Sequence, residues 1–421
     1  MSIHSSLTKT VRHGLRLHVL ATCIALAAGA QAQNIRIGVL ATLDGPLALL
    51  GQDSMRGAEL AVDEFNGQIG TRKIELVKES SNAKPDVAVA KAKKLIEQDK
   101  VDFMIGPLSG SEGLAVKEYA KTVPAKTFIN GTSAAQELTL RDPAPNMFRF
   151  TGDGAQWQAG LGTYVYDVKK YKRVVLVSED YSFPYSQVAG FAAEFCAKGG
   201  KIVEKFWVPL GTKDFSSVIA KIPSGIDAIY IIVSGADAVN FLTQYQQSGG
   251  KLPLIGGTPT VDRNVLSTKG GFRKTAIGVV TAGPLSEGND DPQWVSLVKA
   301  YQKKFPDGLG SPSFGALTYY VNMKAALTAL ATVKGDMNDD QKQFRAALQA
   351  TVVDTPMGRV SLDANRQGIV DNFISEVAEN ADGALHLKLV ARAKGINQTL
   401  GVPRDVFLAR GPASRDNPSC P

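Results

Sequence analysis

The sequence predicts an α/β protein built as two Rossmann-like lobes, each a parallel sheet covered by helices, joined by a three-strand hinge. Three observations predict it. Strand, turn and helix patterns alternate from Gln33 onward. A second run of the same grammar starts near Gly152. Segments 148–153, 278–285 and 358–365 fall between the helical patterns, where the chain can cross from one run to the other. At 421 residues, 44% of them hydrophobic, the chain has length for two or three domains with real cores.

In chain order, Ile35, Ile37 and Val39 alternate as a strand, Asp44-Gly45-Pro46 turns, and 54–66 is a helix with Met55, Ala58, Val62 and Phe65 inward. Residues 73–77 form the next strand, and Pro85 opens a helix through Gln98. Segment 101–121 organises the rest. It is a buried strand (Val101, Phe103, Met104, Ile105), a Gly/Ser turn, and a helix carrying Leu114, Val116 and Tyr119. In the turn, Gly106, Gly110 and Gly113 let a guest approach the backbone, Ser109 and Ser111 add hydroxyls, and the helix start offers unpaired N–H groups. Such a turn suits a small anion such as a carboxylate. A strand at 127–129 follows.

The second run reads as helix 155–170, strand 173–177, helix 185–199, strand 202–206, helix 215–222 capped by Asp214, strand 228–233, helix 236–248 and strand 254–255. Three crossings make both lobes discontinuous: 33–151 with 283–360, and 152–282 with 361–409. Helices 294–305 and 319–333 then return to the first lobe, and hairpin 373–392 joins the second. Residues 410–421, rich in Pro, Ser and charge, form a flexible tail.

Residues 1–32 read as an export signal. Arg12 and Arg16 precede the apolar run 19–28, and Ala30-Gln31-Ala32 is a small-x-small cleavage site, so a periplasmic, soluble chain is expected to start at Gln33. Cys23 offers a rival lipid-anchor reading, but Thr22 is larger than the residue usual before such a cysteine. Cleavage removes Lys9, Arg12 and Arg16, leaving 44 basic against 40 acidic residues with no dense cationic run, which argues against nucleic acid. Cys196 and Cys420 remain: the first reads as a small core residue, the second lies in the tail, and a bridge between them is not expected.

Catalytic chemistry is thinly supplied. His386 is the one histidine after cleavage and sits in an alternating strand, remote from any nucleophile motif. There is no HExxH, CxxC, GxxxxGK[ST] or GxGxxG after a strand, so neither a metal nor a nucleotide cofactor is expected. Binding ranks above catalysis.

Ile35-Arg36-Ile37-Gly38-Val39 followed by Gly45-Pro46 and Gly51, then Arg56-Gly57-Ala58-Glu59-Leu60-Ala61, Ile105-Gly106-Pro107 with Ser109, Phe148-Arg149, and Lys213-Asp214-Phe215-Ser216 occur in a telling order. Their order and spacing resemble the periplasmic substrate-binding proteins of ABC importers, in the branched-chain amino acid class with the type I periplasmic binding fold. The resemblance covers nearly all of the chain after Gln33. It implies two lobes that close on a ligand and deliver it to an inner-membrane permease, with no bond changed and the protein acting as a monomer.

The resemblance also implies site residues. Relatives that bind leucine, isoleucine and valine hold the ligand carboxylate with a hydroxyl and backbone N–H groups in turns that match Ser109, Gly110 and Ser111, and Asn130-Gly131-Thr132-Ser133. Where they place a glutamate for the ammonium, this chain has Thr258, which cannot neutralise a buried charge. Either Asp237 or Asp262 substitutes, or the ligand lacks an α-amino group. Glu179-Asp180-Tyr181-Ser182-Phe183-Pro184-Tyr185 matches the loop that lays an aromatic ring over the ligand, with Phe183 in that place. Trp157, just past the first crossing, is a second candidate cover, although Trp157 and Tyr185 read equally well as core. Leu50 stands where relatives often have a ring, and Gly38-Val39-Leu40-Ala41-Thr42 resembles the opening of benzoate-type binders. Ser234 with Thr258 would set polar specificity from the second lobe. The expected ligand is a small carboxylate, an aromatic or hydrophobic acid ahead of a branched-chain amino acid. The rival is a sensor or receptor module of the same fold, responding to amides or amino acids without transport.

Overall fold

The computed structural model describes residues 33–420; the export-signal reading of 1–32 lies outside them. The first sheet contains β1 (Ile35–Ala41), β2 (Gln68–Ile69), β3 (Arg72–Ser80), β4 (Phe103–Ile105), β5 (Thr127–Ile129) and β6 (Met147–Phe148), in the order β2-β3-β1-β4-β5-β6. All its pairings are parallel except the β2–β3 hairpin. The second sheet uses β7 (Arg173–Glu179), β8 (Lys201–Val208), β9 (Ala228–Ile232), β10 (Leu254–Gly256), β11 (Val280–Gly283), β12 (Val353–Thr355), β13 (Gly358–Leu362), β14 (Gly368–Glu379) and β15 (Leu385–Ile396). Its order is β12-β13-β14-β11-β10-β9-β7-β8, with β15 on β14. Strands β8-β7-β9-β10-β11 are parallel, and β14 joins β11 antiparallel. Two mainly parallel sheets with helices on their faces are the two lobes expected from the repeated grammar.

In each sheet the strand order reverses beside the first strand of its run, between β1 and β4 and between β7 and β9. A parallel sheet opens a crevice at that point, outside the carboxyl ends of its strands. The two crevices face each other.

Helices α1 (Ala48–Glu64), α2 (Gly110–Thr122), α3 (Ser182–Phe195), α4 (Gly235–Gln247), α5 (Phe314–Thr332) and α6 (Arg404–Ala409) matter most for the site. Helix α5 is buried nearly all round. It packs on α1 closely enough that a Cβ on Gly57 would lie 1.9 Å from the Ala316 carbonyl oxygen, which explains the glycine in Arg56-Gly57-Ala58. α1 begins six residues before the expected 54, because the turn at Gly45–Leu47 runs directly into it. The predicted helix 155–170 is broken: a 3-10 turn covers Gln156–Gln158, and Gly160, at φ +87°, precedes a helix limited to Leu161–Asp167. Periodicity missed the break because buried residues continue through it.

The connections between lobes are tied by a buried polar cluster. Arg149 is fully buried and pairs through a parallel bridge with Gln367. Its guanidinium donates to Gln367, to Thr139 Oγ1 at 2.8 Å, and to the carbonyls of Ser133 and Ala135 at 3.2 and 2.8 Å. The Asp153 carboxylate lies 3.7 Å away, also fully buried.

Two expectations about the C-terminus are corrected. Cys196 and Cys420 form a disulfide, with Cα atoms 5.6 Å apart. In place of a free tail, the segment after α6 lies against the second lobe: Lys205 donates to the Pro418 carbonyl at 2.7 Å, and Arg415 makes a two-pronged contact with Asp180. Composition made the segment look solvated; the partners that hold it are more than 200 residues away in the chain.

Candidate functional site

The loops after β1, β4 and β5 face those after β7 and β9 across the cleft. The lobes are closed. Ser111 and Ser182 hydroxyls meet at 3.2 Å, the Gln136 N–H donates to Ser186 Oγ at 3.0 Å, and Phe314 N–H donates to the Asp262 carboxylate at 2.9 Å. Between them lies a narrow cavity of about 20 Å³, lined by Leu47, Leu50, Leu108, Ser109, Gly110, Thr132, Ala134, Tyr181, Phe183, Ser234 and Phe314. In this closed arrangement it has room for about one water, so a guest enters only when the lobes part or the lining side chains shift. Wider grooves exist on the outer surface, such as the one beside Ile219, Tyr245 and Leu252. They lie away from both strand-order reversals, so the interlobe cavity is the candidate site.

On the first-lobe side, Ser109 caps α2 in a reciprocal box: its Oγ accepts from Glu112 N–H at 3.4 Å, and Glu112 accepts from Ser109 N–H at 2.9 Å. The Ser109 hydroxyl proton therefore remains to be donated. The N–H groups of Gly110 and Ser111, at the first two positions of α2, have no intrahelical acceptor. Together they form a cradle for an anion at the positive end of a helix. The turn after β5 contributes less than expected, because the N–H groups of Thr132 and Ser133 both donate to the Pro107 carbonyl, at 3.2 and 3.3 Å. Thr132 Oγ1 lies 2.7 Å from Thr318 Oγ1.

On the second-lobe side, Tyr181 and Ser234 line the cavity with Glu179 behind them. Glu179 is fully buried and accepts from Ser234 N–H at 2.7 Å and Ser234 Oγ–H at 3.0 Å. Burial, reinforced by the charge of Asp237, pushes its pKa up to about 8. Burial likewise raises Asp262 to about 7 and Asp237 to about 6. A carboxyl with a raised folded-state pKa keeps a proton that the unfolded chain has lost, so its contribution is complete at low pH and disappears as pH rises through the folded pKa. The thermal midpoint is therefore expected to fall between about pH 5 and pH 8. Glu179→Gln should flatten that slope; a slope equal to that of the wild type would refute the assignment to Glu179.

Of the residues expected at the site, Ser109, Gly110, Thr132, Phe183 and Ser234 line the cavity, and five others do not. Ser111 Oγ is turned to Ser182, Asn130 Nδ2 donates to the Gly131 carbonyl, and Ser133 Oγ packs against Gly113. Trp157 is fully buried one layer back, edge-on to Phe183 and Phe314 at ring separations of 5.9 and 5.8 Å. Thr258 is locked in a polar core: it donates to the Ala282 carbonyl at 2.7 Å and accepts from Gln187 at 2.6 Å and Gln158 at 3.2 Å. The substitute acids are committed too, Asp237 to the N–H groups of Gly211 and Thr212 and Asp262 to those of Phe314 and Asn264. Among the described residues no carboxylate lines the cavity. Tyr181, Leu47, Leu108, Ala134 and Phe314 were not foreseen as lining. Tyr181 lies inside the loop 179–185, whereas Phe314 arrives from a helix 131 residues after Phe183 and carries no local signal.

The family model for periplasmic binding proteins matches residues 34–383. The chain belongs to the periplasmic binding protein family. The family's members bind ligands and are not enzymes. Leu/Ile/Val-binding protein homolog 6 of Brucella melitensis biotype 1 is 27% identical over 384 residues, 89% of this chain and 95% of that protein. An ABC transporter substrate-binding protein from Sphaerobacter thermophilus is 29% identical, with a TM-score of 0.78 over 87% of this chain and 99% of that one. A solute-binding protein of an ABC transporter from Rhodopseudomonas palustris BisB5, solved in complex with 3,4-dihydroxybenzoic acid, is 25% identical, with a TM-score of 0.79 over 87% and 98% of the two chains. The two-lobed type I architecture and the branched-chain amino acid class follow for this family member. Among the described residues no cluster of His, Cys, Asp and Glu is arranged to hold a metal, and no helix is long and apolar enough to cross a membrane.

Proposed function

We propose that this periplasmic binding protein captures a small, single-ring or compact hydrophobic carboxylate lacking an α-ammonium group and delivers it to an ABC permease in the inner membrane. The observation that carries the reading is the polarity of the cavity: donors converge at Ser109 and the start of α2, apolar side chains form the walls, and among the described residues no carboxylate lines it. A carboxylate there gains charge-assisted hydrogen bonds in a water-excluded cleft. An ammonium would be left without a lining counter-charge, a costly arrangement. Ser234, whose proton goes to Glu179, offers its lone pairs to a donor such as a hydroxyl at the far end of the ligand. The complex of the Rhodopseudomonas relative supports an aromatic acid, and the name of the Brucella relative favours a branched-chain amino acid as the second reading.

Thermal unfolding of the chain from Gln33 against benzoate, 3,4-dihydroxybenzoic acid, leucine, isoleucine and short amides tests it. A ligand at a hundred times its Kd stabilises by about 2.7 kcal/mol, enough to raise the midpoint measurably. The aromatic acids are expected to raise it and leucine is not. A rise with leucine or isoleucine alone would overturn the proposal and make Glu179 the ammonium partner.

A further inference from the structure

The segment after β15 touches both lobes without being one of the strand crossings. Gln398 donates to the Gln136 carbonyl and to Thr139 Oγ1 at 3.2 and 2.9 Å, Arg404 donates to the Leu140 carbonyl at 2.6 Å, and Arg141 donates to the Leu408 carbonyl at 2.9 Å. Beyond α6 the chain knots on itself, with Asn417 Nδ2 donating to the carbonyls of Arg410 and Pro412 at 2.7 and 2.8 Å. It then reaches the second lobe at three points: Asp180 through Arg415, Lys205 through Pro418, and Cys196 through the disulfide to Cys420. Asp180 also receives the Tyr185 hydroxyl, and Tyr185 stands edge-on to Trp207 at 5.0 Å. Asp180 immediately precedes Tyr181, and Phe183 follows within three residues; both line the cavity.

We propose that Arg415 is a positioning residue for ligand capture, carried on a disulfide-anchored strap of residues 404–420 and acting through Asp180 on the loop that presents Tyr181 and Phe183. An exposed ion pair on a free tail would contribute little, because ordering the chain costs what the pair returns. The Cys196–Cys420 bond removes most of that cost by holding the strap at the loop before the pair forms. The ligand role rests on the reading that Tyr181 and Phe183 cover the guest; the effect on the loop does not.

Amide hydrogen exchange on the full chain from Gln33, with no ligand added, reads the loop directly. Peptides over residues 179–186 are expected to exchange about tenfold faster in Arg415→Ala, while β1 keeps its wild-type rate. The double variant Cys196→Ser/Cys420→Ser should loosen the same peptides, and Arg415→Lys should restore part of the protection. Wild-type exchange over 179–186 in Arg415→Ala, or a loosening spread evenly over the second lobe, would overturn the proposal. Failure of the aromatic-acid reading would leave this outcome unaffected.

Discussion

Replacing Arg149 by methionine is expected to destabilise the protein by about 3 kcal/mol, because it breaks a buried ion pair from one side only. Methionine fills much of the volume but leaves Asp153, fully buried, without its cation and takes one donor each from Gln367, Thr139 and the Ser133 and Ala135 carbonyls. Burial already raises the Asp153 pKa and lowers that of Arg149 to about 10, so the pair is held together against desolvation. In the variant Asp153 would take up a proton, which caps the loss below the full cost of a bare charge. Urea unfolding checks the value. Arg149→Met combined with Asp153→Asn should recover part of it, and a single variant as stable as the wild type would show that the cluster contributes nothing net.

Gly235→Ala is expected to weaken ligand binding at least about tenfold, or about 1.4 kcal/mol, by preventing the lobes from closing. Gly235 starts α4 at φ +50°, and a Cβ there would lie 2.3 Å from the Pro46 carbonyl oxygen on the opposite lobe. A backbone oxygen cannot rotate away, so the clash is relieved only by separating the lobes. The left-handed conformation adds about 1–2 kcal/mol of strain within the second lobe itself. Gly225→Ala separates the two effects: its φ is +72° but no atom lies within 4 Å of the added Cβ. Both variants should lose similar thermal stability, and only Gly235→Ala should lose affinity for whichever acid stabilises the wild type. Small-angle scattering should find that variant still open at saturating acid; equal affinities for the two variants would refute the closure argument.

The site was legible where function lies close to a strand end. Ser109 and Gly110 follow β4, where a local reading of strand, turn and helix start reached them; Phe183 after β7 and Ser234 after β9 came with the family resemblance. Ser111, read from its turn, and Ser133 and Thr258, carried over from the resemblance, do not line the cavity. A hydroxyl in a glycine-rich turn looks free in the sequence, and which neighbour takes it depends on side chains brought by distant elements, Ser182 for Ser111 and Gln187 with Ala282 for Thr258. Glu179 opens the loop motif in the sequence, and its role behind the cavity rests on its pairing with Ser234, 55 positions later.

By itself the sequence determined the two-lobed α/β architecture, the glycine and serine cradle at the start of α2, and the aromatic loop after β7. The first two follow from periodicity, capping and turn chemistry, which act over a few residues, and the third from the resemblance to the family. Tertiary structure alone decided which hydroxyls face the guest, that Phe314 closes the cavity, that Trp157 stands behind it, and that Cys420 returns to Cys196. Each of these depends on contacts between segments far apart in the chain, and residue type alone carries no record of the partner that packing will supply.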